Sequence, residues 1–204
     1  MRAAVSLSRY EAVLVLVAFL WGGTFLIVHK AMTVSGPFFF VGFRFLFSAL
    51  AIGFLFRKTL RDINLHEIVA GSLIGLGIFI GYGLQTYGLQ SIPSSKSAFI
   101  TALYIPMVPL LQWWLLRRRP HFMSWIGICL AFFGLILLGG SGAVPGSLSF
   151  GFGEIITAVG TIGTAFEVVL ISVFAHSVDI RRVTVVQLMA ASFFGFICMP
   201  VFGE

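Results

Sequence analysis

The stretch FVGFRFLFSAL, Phe40–Leu50, places one arginine, Arg44, in a run of side chains that otherwise suit the interior of a lipid bilayer. Of the 204 residues in the chain, 59% are hydrophobic and only 10% are charged, and the mean hydropathy is +1.06. Soluble domains usually carry about 25% charged residues. The composition therefore indicates an integral membrane protein, in which Arg44 needs a special environment.

The apolar stretch around Arg44 is one of seven, and most of them reach the roughly 17–25 residues that cross a bilayer as a helix. Short connections separate them, so little of the chain is left for a water-facing domain. We therefore predict an all-α integral membrane protein built as a multi-helix transmembrane bundle. The seven predicted segments cover approximately Ala12–Met32, Pro37–Phe56, Glu67–Gly88, Ser97–Leu116, Met123–Leu138, Phe150–Ala175 and Val183–Val201.

Basic residues fall almost entirely on one side of these predicted spans. The opposite connections carry only Lys30 and Lys96. Because cytoplasmic loops are enriched in lysine and arginine, we predict a multi-pass protein of the bacterial plasma (inner) membrane with a cytoplasmic N-terminus. The net charge of +6 then reports orientation and does not indicate a nucleic-acid partner. The ten residues on the basic side are Arg2, Arg9, Arg57, Lys58, Arg61, Arg117, Arg118, Arg119, Arg181 and Arg182.

Two short matches indicate an internal repeat. GTAF at Gly163–Phe166 resembles GTFL at Gly23–Leu26, and QLMAAS at Gln187–Ser192 resembles RFLFSA at Arg44–Ala49. The two shifts, 140 and 143 positions, agree closely. A five-helix unit that begins again after an odd number of crossings is inverted, which is the construction of many secondary transporters.

This repeat sets the expected domain organisation. Residues 1–140 form a first five-helix repeat, residues 141–149 an outer linker rich in glycine and serine, and residues 150–204 the first two helices of a truncated second repeat. Seven helices of an expected ten are thus present. We expect the chain to be a fragment or an early-terminated product. The alternative is a genuine seven-helix protein, which the repeat disfavours.

Several stretches together resemble an EamA-type permease of the drug/metabolite transporter superfamily. They are LVAFLWGGTFLIVHKAM, RFLFSALAIGFLF, WIGICLAFFGLILLGG and, most specifically, GLGIFIGYGLQTYGLQSIPSSKSAFITALYIPMVPLL. The resemblance covers essentially the whole chain. It implies ten helices in two inverted five-helix repeats, both chain ends in the cytoplasm, a central cavity, and export or exchange of small metabolites.

The sixth segment carries the clearest polar stripe. Glu154, Thr157, Thr161 and Thr164 recur at intervals of three and four residues, and Glu167 flanks the same face. Such a face avoids lipid and turns toward the bundle interior or a wet cavity. The threonines alone favour close helix packing, whereas the glutamates favour a cavity.

Arg44 poses the same question for the second segment. It lies roughly 10 Å below the outer end set by Pro37, and Glu154 lies roughly 6 Å below the same surface. Placing an arginine against lipid costs at least about 2.5 kcal/mol. We therefore expect Arg44 to point inward, where it either pairs with Glu154 or binds an anionic group of the substrate.

Further cavity candidates are polar or aromatic residues on other segments. The glycines around Tyr82 and Gln85 indicate tight helix packing, with Gln85 at the edge of the cavity. The fourth segment is predicted to kink at Pro106 and Pro109, which frees backbone carbonyls near the midplane. The candidates outside the sixth segment, besides Arg44, are Trp21, Thr24, Tyr82, Gln85, Thr101, Tyr104, Gln112 and Gln187.

The predicted function is transport of a small organic metabolite, such as an amino acid or an amphipathic drug, by alternating access as an exporter or exchanger. Protons or a counter-exchanged solute are the candidate coupling partners. We predict neither enzyme activity nor a cofactor or metal, and no disulfide between Cys129 and Cys198.

Two other classes of function remain as alternatives. A rhomboid-like intramembrane protease would use Ser141 of GGSG, but His121 and His176 are predicted a membrane thickness away, beyond hydrogen-bond reach. A channel or a structural membrane subunit is the other alternative, although the sequence shows no selectivity filter or ring of charge.

Overall fold

The computed structural model describes residues 9–117, 119, 122–140 and 151–204. Within these ranges the secondary structure is helical, which confirms the predicted all-α bundle of seven apolar segments. The linker predicted at residues 141–149, together with Ser141, His121, Arg2 and Arg118, lies outside these ranges. The helices are α1 (Arg9–Ala31), α2 (Pro37–Leu55), α3 (Leu65–Gly88), α4 (Ser94–Thr101), α5 (Tyr104–Leu116), α6 (Phe122–Gly140), α7 (Phe152–Phe174) and α8 (Ile180–Cys198).

Six helical segments within the described ranges are long and apolar enough to cross a membrane. A 3-10 turn, Thr59–Asp62, joins two of them, α2 and α3. The chain is thus a multi-pass membrane protein. The six segments are Tyr10–Ala31, Pro37–Leu55, Leu65–Gly88, Ser94–Leu116, Phe152–Phe174 and Ile180–Cys198.

The fourth segment is broken, but not where its prolines predict. The break falls at residues 102–103, between α4 and α5, where the backbone N–H of Ile105 bonds to the carbonyl of Ala102 at 3.1 Å, a tight three-residue bond. Pro106 lies in the first turn of α5, where a missing N–H is tolerated, and α5 continues through Pro109. The predicted kink at the prolines is therefore displaced toward the N-terminus.

Helix α3 is the centre of the bundle, and its glycines let α7 and α8 approach closely. A Cβ atom on Gly75 would lie 2.5 Å from the carbonyl oxygen of Gln187 in α8. A Cβ atom on Gly163 of α7 would lie 2.8 Å from the backbone nitrogen of Gly81. The tight packing expected for the α3 glycines is therefore present.

Helix α2 packs against α8 in the same way. A Cβ atom on Gly195 would lie 2.9 Å from the Cα atom of Gly42, and the hydroxyl of Ser192 donates to the Gly42 carbonyl at 2.8 Å. Because Gly53 at the other end of α2 lies near Val185, α2 and α8 run antiparallel. Helices α2, α3, α7 and α8 thus form a closely packed block.

Helix α1 lies against this block more loosely. Nothing stands within 4 Å of a Cβ atom built on Gly22, and most α1 side chains are exposed. Near its C-terminal end, His29 Nδ1 donates to the carbonyl oxygen of Leu89 at 3.0 Å, which ties α1 to the end of α3. Between these two helices and α2 lies an open pocket.

Candidate functional site

The pocket, here called the Arg44 pocket, lies between α1, α2 and the last turns of α3. It is a narrow cleft, partly open to the outside, with a cavity volume of about 10 Å³. Five of its lining residues are cavity candidates predicted from the sequence, and they come from three separate helices. The lining residues are Trp21, Thr24, Phe25, Val28, Arg44, Tyr82, Gln85, Thr86 and Leu89.

Arg44 is held in the pocket by aromatic rings. Its guanidinium carbon lies 5.3 Å from the ring centroid of Tyr82 and 5.4 Å from that of Phe45. The two rings meet edge to face at 5.5 Å, which fixes both of them. Cation–π contacts stabilise a half-buried guanidinium while leaving its N–H donors available. Arg44 is therefore oriented toward the pocket without being neutralised.

Tyr82 connects Arg44 to further polar groups. Its hydroxyl lies against the indole of Trp21, and Glu167 and Tyr104 are further neighbours besides Arg44. Among the residues that the structure describes, neither Arg44 nor Glu167 forms an ion pair. Arg44 lines the pocket beside Tyr82, whereas Glu167 is a further ionisable neighbour of Tyr82 and does not line the pocket.

Gln85 links the pocket to the broken fourth segment. Its side-chain nitrogen donates to the hydroxyl of Thr101 at 2.5 Å. Thr101 is the last residue of α4, immediately before the break. The pocket wall is thereby joined to the point where the helix is interrupted.

The expected pair between Arg44 and Glu154 is not formed. Glu154 is buried in the first turn of α7, and its carboxylate accepts from Lys96 Nζ of α4 at 2.5 Å. The prediction compared only depths below the membrane surface. Because α4 and not α2 packs beside the start of α7, Lys96 is the lateral neighbour of Glu154.

The three threonines of α7 lie in helix contacts and not on the Arg44 pocket. Thr157 is buried, bonds to the carbonyl of Gly153 at 2.7 Å and packs against α3. Thr161 is buried, bonds to the carbonyl of Ala158 at 2.6 Å and contacts a methionine sulfur of α5 at 3.3 Å. Thr164 packs against the glycine face of α3. This arrangement matches the packing interpretation of the threonine stripe.

Two remaining candidates also lie apart from the pocket lining. Gln112 is half-buried on α5. Gln187 is half-buried on α8, and its backbone carbonyl faces Gly75 in the contact between α3 and α8.

A charged cluster at the opposite end of α3 was missed by the sequence analysis. Glu67, only 2% exposed, accepts from the backbone N–H of Asn64 at 3.0 Å and from that of Asp179 at 3.2 Å. Its two carboxylate oxygens also accept from Arg182 Nη1 at 3.3 Å each. We call this group, with Asp62 at 3.7 Å from Arg182, the Glu67 clasp.

The sequence held one signal for the Glu67 clasp. Asn64 and Glu67 form a capping box, in which each side chain bonds to the other residue's backbone N–H. That spacing is readable in the sequence, but the partner Arg182 lies 115 residues away and follows only from the fold.

Comparison with known proteins gives transporters of about twice this length. An uncharacterized transporter of Archaeoglobus fulgidus is 29% identical over 80% of this chain and 49% of the relative. The uncharacterized inner membrane transporter YedA of Escherichia coli K12 is 27% identical over 72% and 48%, and the uncharacterized transporter YvbV of Bacillus subtilis is 26% identical over 66% and 45%. The chain spans about half the length of these relatives, and no solved structure matches it significantly.

The model of the EamA-like transporter family matches residues 9–140, which is well over half of the chain. The matched region contains every residue that lines the Arg44 pocket. The chain therefore belongs to the EamA-like transporter family.

Proposed function

We propose that the protein transports a small organic metabolite that carries a carboxylate, most simply a zwitterionic amino acid, and that the Arg44 pocket binds it. The observation that carries the proposal is a guanidinium held inside a membrane-spanning helix by two aromatic rings, with no ion pair among the described residues. Ionisable groups at such depth are expensive and usually mark substrate pathways.

The chemistry of the pocket supports this class of substrate. A guanidinium binds a carboxylate through two parallel hydrogen bonds. Glu167, a neighbour of Tyr82 outside the pocket lining, would supply a carboxylate for an ammonium group. The rings of Trp21 and Tyr82 give an apolar side chain a surface to pack on. An amphipathic cation would use Glu167 and the rings but would be repelled by Arg44, so the zwitterion is favoured.

The break between α4 and α5 supports transport by alternating access. Transporters place their binding sites beside interrupted helices, because the ends of the half-helices and the free backbone groups at the interruption can bind the substrate. Here the hydrogen bond between Gln85 and Thr101 joins the pocket wall to that break. Substrate binding at the pocket would then be transmitted to α4 and α5.

The relatives support the wider arrangement that we propose. Since they are about twice as long, we infer that the pocket is one wall of a cavity shared by two inverted five-helix repeats. The inner-membrane relative of Escherichia coli and the basic residues support a bacterial plasma membrane protein with a cytoplasmic N-terminus. Export or exchange is the proposed mode.

Counter-exchange in proteoliposomes tests the proposal. Vesicles containing the protein are loaded with one amino acid, and exchange with a labelled panel of amino acids and amphipathic cations is measured. We expect saturable exchange of at least one zwitterion, with a loss of at least tenfold in Arg44→Leu and partial retention in Arg44→Lys. Arg119→Leu is the matched control, because this arginine is exposed between α5 and α6 and should leave exchange unchanged.

Two outcomes would contradict the proposal. Equal exchange by the wild type and Arg44→Leu would remove Arg44 from the binding site. Unsaturable conductance without exchange would favour the channel alternative.

A further inference from the structure

The basic residues at the Arg182 end of the bundle are of two kinds. Arg182 already has partners within the protein. Its Nε donates to the carbonyl of Thr59 and its Nη1 to the carbonyl of Asp62, each at 2.8 Å, and Nη1 also donates to the carboxylate of Glu67. The ion pairs among the described residues do not include Arg57, Lys58 or Arg61. Three cations are thus left for a partner outside the chain.

These three cations surround one site. An open concavity of about 480 Å³ is lined by Arg57, Lys58 and Arg61, and no acidic residue lines it. The site lies at the end of α2 and on the 3-10 turn that follows. We call it the α2-end basic site.

The backbone of the α2-end basic site is held in place before any ligand binds. The bonds from Arg182 to Thr59 and Asp62 fix both ends of the 3-10 turn to α8. Asp62, the acidic residue next to Arg61, is directed toward Arg182 at 3.7 Å. Fixing the turn in advance reduces the entropy that binding has to overcome.

The site also adjoins the surface that faces lipid. Phe54 and Leu55, immediately before it, are each 72% exposed on a membrane-spanning helix. The guanidinium of Arg57 lies 5.1 Å over the ring of Phe54, and that of Arg181 lies 5.5 Å over the ring of Phe56. Arginine and lysine side chains near the end of a membrane-spanning helix extend to the interface, where the headgroups lie. The cations therefore lie at the depth of lipid phosphates.

We propose that the α2-end basic site binds the phosphate of an anionic phospholipid such as phosphatidylglycerol, with one acyl chain against Phe54 and Leu55. A lipid is a better match than free phosphate, because the concavity opens beside an apolar surface that an acyl chain would cover. This site is separate from the Arg44 pocket, and the proposal does not depend on which solute is transported.

Native mass spectrometry of the detergent-solubilised protein tests this proposal. The protein is titrated with dioctanoyl phosphatidylglycerol, with dioctanoyl phosphatidylcholine and with inorganic phosphate. We expect at least tenfold higher affinity for phosphatidylglycerol than for phosphatidylcholine, and loss of this preference at high salt. Basic residues near an anionic surface contribute about fivefold each in affinity, so Arg57→Gln/Lys58→Gln/Arg61→Gln should weaken binding by about 100-fold.

Two single variants keep the test valid if the triple variant does not fold. Lys58→Gln and Lys30→Gln each remove one exposed lysine, at the site and away from it. We expect about fivefold weaker phosphatidylglycerol binding for Lys58→Gln and no change for Lys30→Gln. Equal binding of the two lipids, or equal effects of the two variants, would overturn the proposal. Displacement of phosphatidylglycerol by an equal concentration of inorganic phosphate would identify a free-anion site and overturn the lipid assignment.

Discussion

The Glu67 clasp and the Arg44 pocket each contain a charged side chain of a membrane-spanning helix, but the two side chains differ in whether they have an ionic partner. Glu67 receives two backbone N–H groups and a guanidinium, so its charge is neutralised inside the protein. Arg44 rests on two rings and meets no carboxylate among the described residues. The difference teaches that a satisfied charge stabilises the fold, whereas a charge without an ionic partner is available to a ligand.

The largest effect on stability is expected from Glu67→Ala. It leaves Arg182 and two helix N-termini without their carboxylate, and breaking a buried pair in this way costs about 3–5 kcal/mol. Unfolding in detergent, followed by size-exclusion chromatography after heating, measures the loss. Asp62→Asn is the control, because its carboxylate is exposed and lies 3.7 Å from Arg182, and it should change stability by less than about 1 kcal/mol. Similar losses in both variants would show that Glu67 is not the centre of the clasp.

The next largest effect on stability is expected when a glycine of the packed block, and not a glycine of the loosely packed α1, is replaced by alanine. Gly75→Ala places a methyl group 2.5 Å from the carbonyl oxygen of Gln187, so α3 and α8 must separate at a cost of about 1–3 kcal/mol. Gly22→Ala meets nothing within 4 Å and replaces glycine by a better helix former, so stability should stay equal or rise by up to about 1 kcal/mol. The same heating experiment measures both variants. Equal behaviour would mean that α1 is packed as tightly as the block.

The fold was predictable because apolar runs of this length must form helices to satisfy their backbone in lipid. The Arg44 pocket was predictable for a related reason: Trp21, Arg44 and Gln85 are polar or aromatic residues on three different helices, and they meet at the pocket. Lateral neighbours were not predictable. Depth along the membrane normal suggested Arg44 as the partner of Glu154, but only the packing of α4 against α7 reveals Lys96.

The position of the helix break and the partner of Glu67 could not be predicted for a similar reason, because both depend on the local context within the fold. Proline positions predicted a kink near Pro106, yet the first turn of a helix accepts proline without disruption, so the break moved to residues 102–103. Arg182 was read as a topology signal because its charge is visible in the sequence, whereas its carboxylate partner depends on how α3 and α8 meet.

A smaller effect on the free energy of unfolding is expected from Lys96→Met. Lys96 is 43% exposed, so water already screens its pair with Glu154, and the pair is worth about 1 kcal/mol or less. Thermal unfolding of Lys96→Met, Glu154→Gln and the double variant gives the coupling energy. A coupling energy as large as the loss in Glu67→Ala would place this pair with the clasp as a main support of the fold.

The smallest effect on stability is expected from Arg44→Leu. Leucine packs against Tyr82 and Phe45 and removes a costly charge, so the free energy of unfolding should change by less than about 1 kcal/mol. Counter-exchange should nevertheless be lost in the same preparation. A loss of stability comparable to that of Glu67→Ala would break the comparison, because Arg44 would then serve the fold and not a ligand.

The distance in sequence between Glu67 and Arg182 has a consequence for biosynthesis. The two residues are 115 positions apart, so at about 5–20 residues per second the ribosome delivers Arg182 roughly 6–23 s after Glu67. During that interval the carboxylate has only its capping partner Asn64. We therefore expect the start of the nascent α3 to keep its carboxylate in contact with water until α8 emerges.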